Sequence, residues 1–103
     1  MCKKVFFLLF LFFSNFVSSQ DSESEKWADS VISNMSLEER VSQLLMVAAY
    51  SNKNKSHTTN ISNLIKNYKI GGLMFLQGGP VRQAKLTNYY QSISETPLMI
   101  AMD

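Results

Sequence analysis

Ile70-Gly71-Gly72-Leu73-Met74-Phe75-Leu76, followed at once by Gln77-Gly78-Gly79-Pro80, is the stretch on which the fold turns. A short apolar run between glycine signals reads as a strand buried on both faces, as strands of parallel sheets are. The first glycines mark a tight helix-to-strand passage. The second pair, with Pro80, marks a strand-to-helix turn, because proline suits a helix's first turn.

Two more runs of this kind flank it. Upstream stands Leu45-Met46-Val47-Ala48-Ala49-Tyr50, and downstream Leu98-Met99-Ile100-Ala101-Met102, which leads to Asp103. The gaps between them carry helical periodicity. Ile61, Leu64, Ile65 and Tyr68 form an i, i+3, i+4, i+7 stripe, and so do Leu86, Tyr89, Tyr90 and Ile93. Lys66 and Lys69 suit the dipole at the end of the first of these helices. Ser51 to Thr59 is polar and reads as a loop leading into it.

Two helices precede the first strand. Ala28, Val31, Ile32 and Met35 make one stripe. Ser36 opens the other helix, with Ser36 and Glu39 spaced as a capping box and Leu37, Val41 and Leu44 along one face. The order is therefore helix, helix, strand, helix, strand, helix, strand. Such alternation implies βαβ units and a parallel sheet, with either a doubly wound sheet or a (β/α)8 barrel as the architecture. The third strand lacks a covering helix and has a bare apolar edge. This predicts that residues 27–103 are the N-terminal third of a longer barrel domain, aggregation-prone when expressed alone.

The N-terminus reads as an address. Lys3 and Lys4 precede nine unbroken apolar residues from Val5 to Phe13, and small residues follow at Val17-Ser18-Ser19. That is the pattern of a secretory signal peptide over 1–19, cleaved after Ser19, and the apolar run is too short for a stable membrane anchor. A secreted or periplasmic location is the expectation. Residues 20–26, polar and acidic, read as a flexible leader.

Composition narrows the function classes. The formal net charge of +2 comes from Lys3 and Lys4, and residues 20–103 carry eight basic and eight acidic side chains. No basic stripe is present, so nucleic acid is not an expected partner. The single cysteine, Cys2, and the single histidine, His57, exclude a disulfide framework, a thiolate zinc site and an iron–sulfur cluster. No cofactor or metal is implied. A receiver-like module would want acids where Tyr50-Ser51-Asn52 stands, and a redox module a cysteine pair.

From Trp27 to Asp103 the chain resembles the start of the catalytic domain of family-3 glycoside hydrolases, in the β-N-acetylglucosaminidase-like branch. Met35-Ser36-Leu37-Glu38-Glu39-Arg40-Val41-Ser42-Gln43-Leu44 is similar to that family's opening helix. Ile70-Gly71-Gly72-Leu73-Met74-Phe75 resembles its second strand, and Pro97-Leu98-Met99-Ile100-Ala101-Met102-Asp103 its third. The resemblance implies a (β/α)8 barrel and a retaining hydrolysis of β-linked, N-acetylglucosamine-containing glycans. It puts the nucleophile, an Asp, and the acid/base, a His, on later segments, so no catalytic residue is expected within these 103. It carries over one substrate-binding residue, Asp103, which matches the family's strand-end Asp that hydrogen-bonds sugar hydroxyls. Two alternatives remain: a non-catalytic carbohydrate-binding or scaffold protein on the same fold, and an unrelated small doubly wound module.

The remaining polar and aromatic residues have plain readings. His57 reads as a solvated residue near a helix start. Tyr89 and Tyr90 read as core packing rather than a sugar platform, and Trp27 as packing for the first helix. Glu38 and Glu39 read as helix-start acids, not a catalytic pair. Gln77-Gly78-Gly79-Pro80 lacks the phosphate-loop signature, although the loop could shape substrate choice. Asn34, Asn54 and Asn60 each begin an N-glycosylation acceptor pattern.

Overall fold

The computed structural model describes residues 21–103. The signal-peptide reading lies outside the described residues. The chain divides into two compact units, Met1–Asn34 and Met35–Asp103.

Helix α1, Asp21–Ser33, is the described part of the first unit. It takes in residues 21–26, which the sequence reading left as a flexible leader. Glu23, Glu25 and Lys26 are all good helix formers. The helix ends where Ser30's carbonyl accepts from both Ser33 Oγ and Asn34 Nδ2, each at 2.9 Å.

The second unit is mixed α/β. It runs α2 (Leu37–Ser42), β1 (Met46–Tyr50), α3 (Lys55–Asn63), β2 (Gly72–Gln77), α4 (Pro80–Ile93) and β3 (Met99–Met102). Three parallel strands lie in the order β1-β2-β3, with Val47 opposite Leu73 and Leu73 opposite Ile100. Between Ala49 and Tyr50 the register slips, so that Ala49 faces Phe75 but Tyr50 faces Gln77.

The capping box forms as expected. Glu39 N–H donates to Ser36 Oγ at 3.2 Å, and Ser36 N–H donates to Glu39 Oε2 at 2.9 Å. The apolar stripe expected on α2 is not buried, however: Leu37, Val41 and Leu44 are all exposed. Polar groups hold this six-residue helix instead, as described below.

Helix α3 starts earlier than the polar loop reading allowed. Asn54 is its N-cap, and Asn54 Oδ1 accepts from His57 N–H at 3.3 Å. After Asn63 the helix widens into a π-turn, Leu64–Tyr68, closed by Lys69 in the left-handed region at φ 52° and ψ 48°. A π-turn carries an extra residue per turn and shifts the helical phase. Ile61, Leu64 and Ile65 face the core while Tyr68, fourth in the expected stripe, is exposed.

One core forms. Ala49, Leu73 and Phe75 from the sheet meet Ile61 and Ile65 of the α3 segment, Tyr90 of α4, and Ile70 and Leu98 from the connections. Helices α3 and α4 therefore share one face of the sheet. The strands were expected to be buried on both faces, but they are buried on one. Met46, Ala48, Met74 and Met99 are exposed on the other face, and Ala101 is half-buried there. A continuous apolar run tells that both faces are apolar. It does not tell which segment covers the second face.

Candidate functional site

The two ends of the sheet are built differently. At the N-terminal end, backbone and charge close every gap. Gly71 N–H is shared between the carbonyls of Ser42 and Leu45, at 3.0 and 3.1 Å. A Cβ on Gly71 would lie 1.8 Å from Gln43 O, so only glycine lets α2 approach the start of β2. Gln43 Nε2 donates to Lys69 O at 2.6 Å, capping the end of the π-turn. Lys69 Nζ sits 2.6 Å from Glu39 and 2.6 Å from Glu95. Its bonds to Glu39 and then Glu95 raise its pKa to about 12. The bond to Lys69, followed by the Ser36 amide, holds Glu39 below the usual carboxylate range. Glu39 thus does what its helix-start position called for, and one thing more.

At the C-terminal end lie Tyr50, Ser51, Asn52, Gln77 and Asp103. Ser51 is buried, and it donates twice to the Gln77 carbonyl, through N–H at 3.0 Å and through Oγ at 3.3 Å. Gly78 follows at φ +119°, and a Cβ there would come within 1.7 Å of Ser51 Oγ. The turn after β2 is therefore specified twice, by backbone conformation and by the serine lodged against it. Above it, Asn52 Nδ2 donates to Gln77 Oε1 at 3.4 Å, and both amides are exposed.

Asp103, the residue carried over as a sugar ligand, falls at this same end. Its N–H donates to Phe75 O at 3.1 Å, which extends the β2–β3 ladder by one step. Strand alternation puts it in phase with Met99 and Ala101, on the face the helices leave bare.

His57 is not a solvated bystander. It is half-buried, and its Nε2 accepts from Tyr50 N–H at 3.1 Å, so the ring is held neutral with its proton on Nδ1. Its ring meets Tyr50 edge-on, centroids 5.6 Å apart, and Lys53 Nζ stands 3.8 Å above the Tyr50 ring. Burial, then the Lys53 charge, pushes the His57 pKa below its ordinary value. The bond satisfies an amide next to the register slip, where the ladder is irregular.

The other candidates fall elsewhere. Tyr90 is wholly buried in the core, where burial raises its pKa. Tyr89 stands at 5.6 Å with its ring tilted 50°, and its hydroxyl accepts from Ser62 Oγ. The two rings make no flat platform. Trp27 is exposed on α1. An apolar groove of about 360 Å³ runs between α4 and β3, lined by Pro80, Ala84, Thr87, Ile100 and Met102 among others, with no acid or base in it. Among the described residues no group of three or more His, Cys, Asp or Glu could hold a metal ion. No helix among them is long and apolar enough to cross a membrane.

The sequence reading missed the amide pair and the role of Ser51. The signal was there in outline. A serine and an asparagine directly after an apolar strand, and a glutamine before two glycines, are polar residues at strand ends, where barrel sites are built. What sequence could not show is that residues 25 positions apart meet.

A scan against protein-family models finds no match for this chain, and a search of curated proteins finds no match either.

Proposed function

We propose that this chain is the front of a (β/α)8 barrel glycoside hydrolase, secreted or periplasmic, which cleaves β-linked N-acetylglucosamine-containing glycans with retention. The observation that carries the reading is the position of Asp103. It stands one residue beyond β3, its amide on Phe75 O, in phase with the sheet face opposite the helices. In a closed barrel that face is the interior, and strand C-terminal ends ring the active site. Sequential strand order and two crossover helices on one face fit a barrel, and they fit one βαβαβ half of a doubly wound sheet equally, so the barrel rests on the family resemblance.

In this reading Asp103 accepts hydrogen bonds from two neighbouring sugar hydroxyls, which a carboxylate does well with its two oxygens. It orients the ring and performs no bond-breaking itself. A carboxylate nucleophile and an acid/base group, both from later segments, would carry out the two displacements.

The test is hydrolysis of a chromogenic N-acetyl-β-glucosaminide by the full-length protein, with the first-formed anomer read by NMR. Turnover with a β-anomeric first product is expected, and Asp103→Asn lowers kcat/KM by about 100-fold or more, because a site built around a bound hydroxyl is left unpaired. Absence of turnover by the unsubstituted protein overturns the reading.

A further inference from the structure

We infer that the Asn52–Gln77 amide pair is the specificity element for the sugar's acetamido group. This rests on the carbohydrate reading above and deepens it. The bond from Asn52 Nδ2 to Gln77 Oε1 uses one donor and one acceptor of the pair. Gln77 Nε2 and Asn52 Oδ1 are left, and no hydrogen bond within the described chain occupies either. A donor and an acceptor on adjacent side chains match a secondary amide, whose carbonyl accepts while its N–H donates. A hydroxyl also donates and accepts, but both from one oxygen, so it meets the two groups only where they converge on a single point.

The pair is not needed to hold its own loop. The Gln77 carbonyl already takes two bonds from buried Ser51, and Gly78 fixes the turn at φ +119°. The exposed 3.4 Å amide contact adds little to that. Its stability value is small because both groups would be satisfied by water as well. What the lock does accomplish is to fix where the two amides stand, at the sheet end that also bears Asp103. A rigid support behind exposed polar groups is what a binding site requires.

The experiment compares kcat/KM of the full-length protein for an aryl N-acetyl-β-glucosaminide and for the matching aryl β-glucoside. Asn52→Ala and Gln77→Ala are each expected to lower the acetamido-to-hydroxyl ratio of kcat/KM about tenfold, the value of one well-placed hydrogen bond. Ser51→Ala serves as the structural control and lowers both rates together. If the amide variants leave the ratio unchanged, or lower both rates equally, the inference is overturned while the hydrolase reading stands. If the unsubstituted protein turns over neither substrate, both fall.

Discussion

The two ends of the three-stranded sheet use the same materials, glycine, an amide side chain and a backbone carbonyl, for opposite purposes. At the N-terminal end, Gly71 lets α2 press its backbone onto the start of β2. Gln43 spends its amide on Lys69 O, and the Lys69 ammonium is held between the carboxylates of Glu39 and Glu95. At the C-terminal end, Gly78 lets a serine lodge inside the turn, and the amides of Asn52 and Gln77 lean on each other without being used up. One end consumes its polar groups in holding the fold. The other holds itself with Ser51 and leaves polar groups over. That division is the one expected of a scaffold that binds at its strand C-termini.

Three tests sharpen this comparison. The largest effect belongs to Gly71→Ala. Its Cβ would meet backbone, which cannot rotate away, so α2 must part from β2, and a loss of about 3 kcal/mol or more in urea unfolding of the full chain is expected. A loss under about 1 kcal/mol would mean that the N-terminal end is looser than it looks.

Gly78→Ala comes next, at about 1–3 kcal/mol, from the backbone conformation and the displaced Ser51 hydroxyl together. Here the clash is with a side chain, so the double variant Ser51→Gly, Gly78→Ala should regain part of the loss. No such partner rescue exists for Gly71. Equal behaviour of the two glycines would break the distinction drawn between the ends.

The smallest effect is in pH. His57 is depressed from 6.5, so its contribution is full above 6.5 and is lost as pH falls through the folded value. Glu39 is depressed from 4.5, so its contribution is lost only at more acid pH. Lys69 is raised to about 12, so its contribution holds below 10.5 and is lost as pH rises through about 12. Acidification from pH about 7.5 to about 5 should therefore loosen the C-terminal end alone. The decline in stability over that range should vanish in His57→Gln and persist in Glu39→Gln. Its persistence in His57→Gln would place the sensitive group elsewhere.

Much of the fold was legible because local signals and global order agree. The capping box at Ser36 and Glu39, the proline opening α4, and the change of period between strands and helices are short-range patterns, and each appears where the chain places it. The misreadings have a common origin. Ser51 to Thr59 is polar, so it read as loop, yet Asn54 caps a helix through a single bond to His57 N–H. The π-turn at Leu64–Tyr68 has no residue signature and moved Tyr68 off the stripe. Leu37, Val41 and Leu44 have helical spacing, but α2 is pinned by Gly71 and Lys69, some 25 to 34 residues downstream of them. Periodicity reports what one element could bury, and long-range partners decide what it does bury. The site divided in the same way. Asp103 came from the family resemblance alone, while Ser51, Asn52 and Gln77 became a unit only through a contact between strand ends.

The bare face of the sheet has one more property. Met46, Met74 and Met99 all stand exposed on it, and Gly72 lies between Met46 and Met99. Thioether side chains are unbranched and polarisable, so they settle against neighbours of many shapes without demanding one. A face of this kind tolerates imprecision in whatever is laid upon it, and adjacent elements can vary in sequence with little penalty here. The same sulfurs are perishable. Left in contact with an oxidising medium they turn to sulfoxides, polar and bulkier than before, and the face loses its adhesion. Adaptability and a limited shelf life are thus two results of one choice of residue.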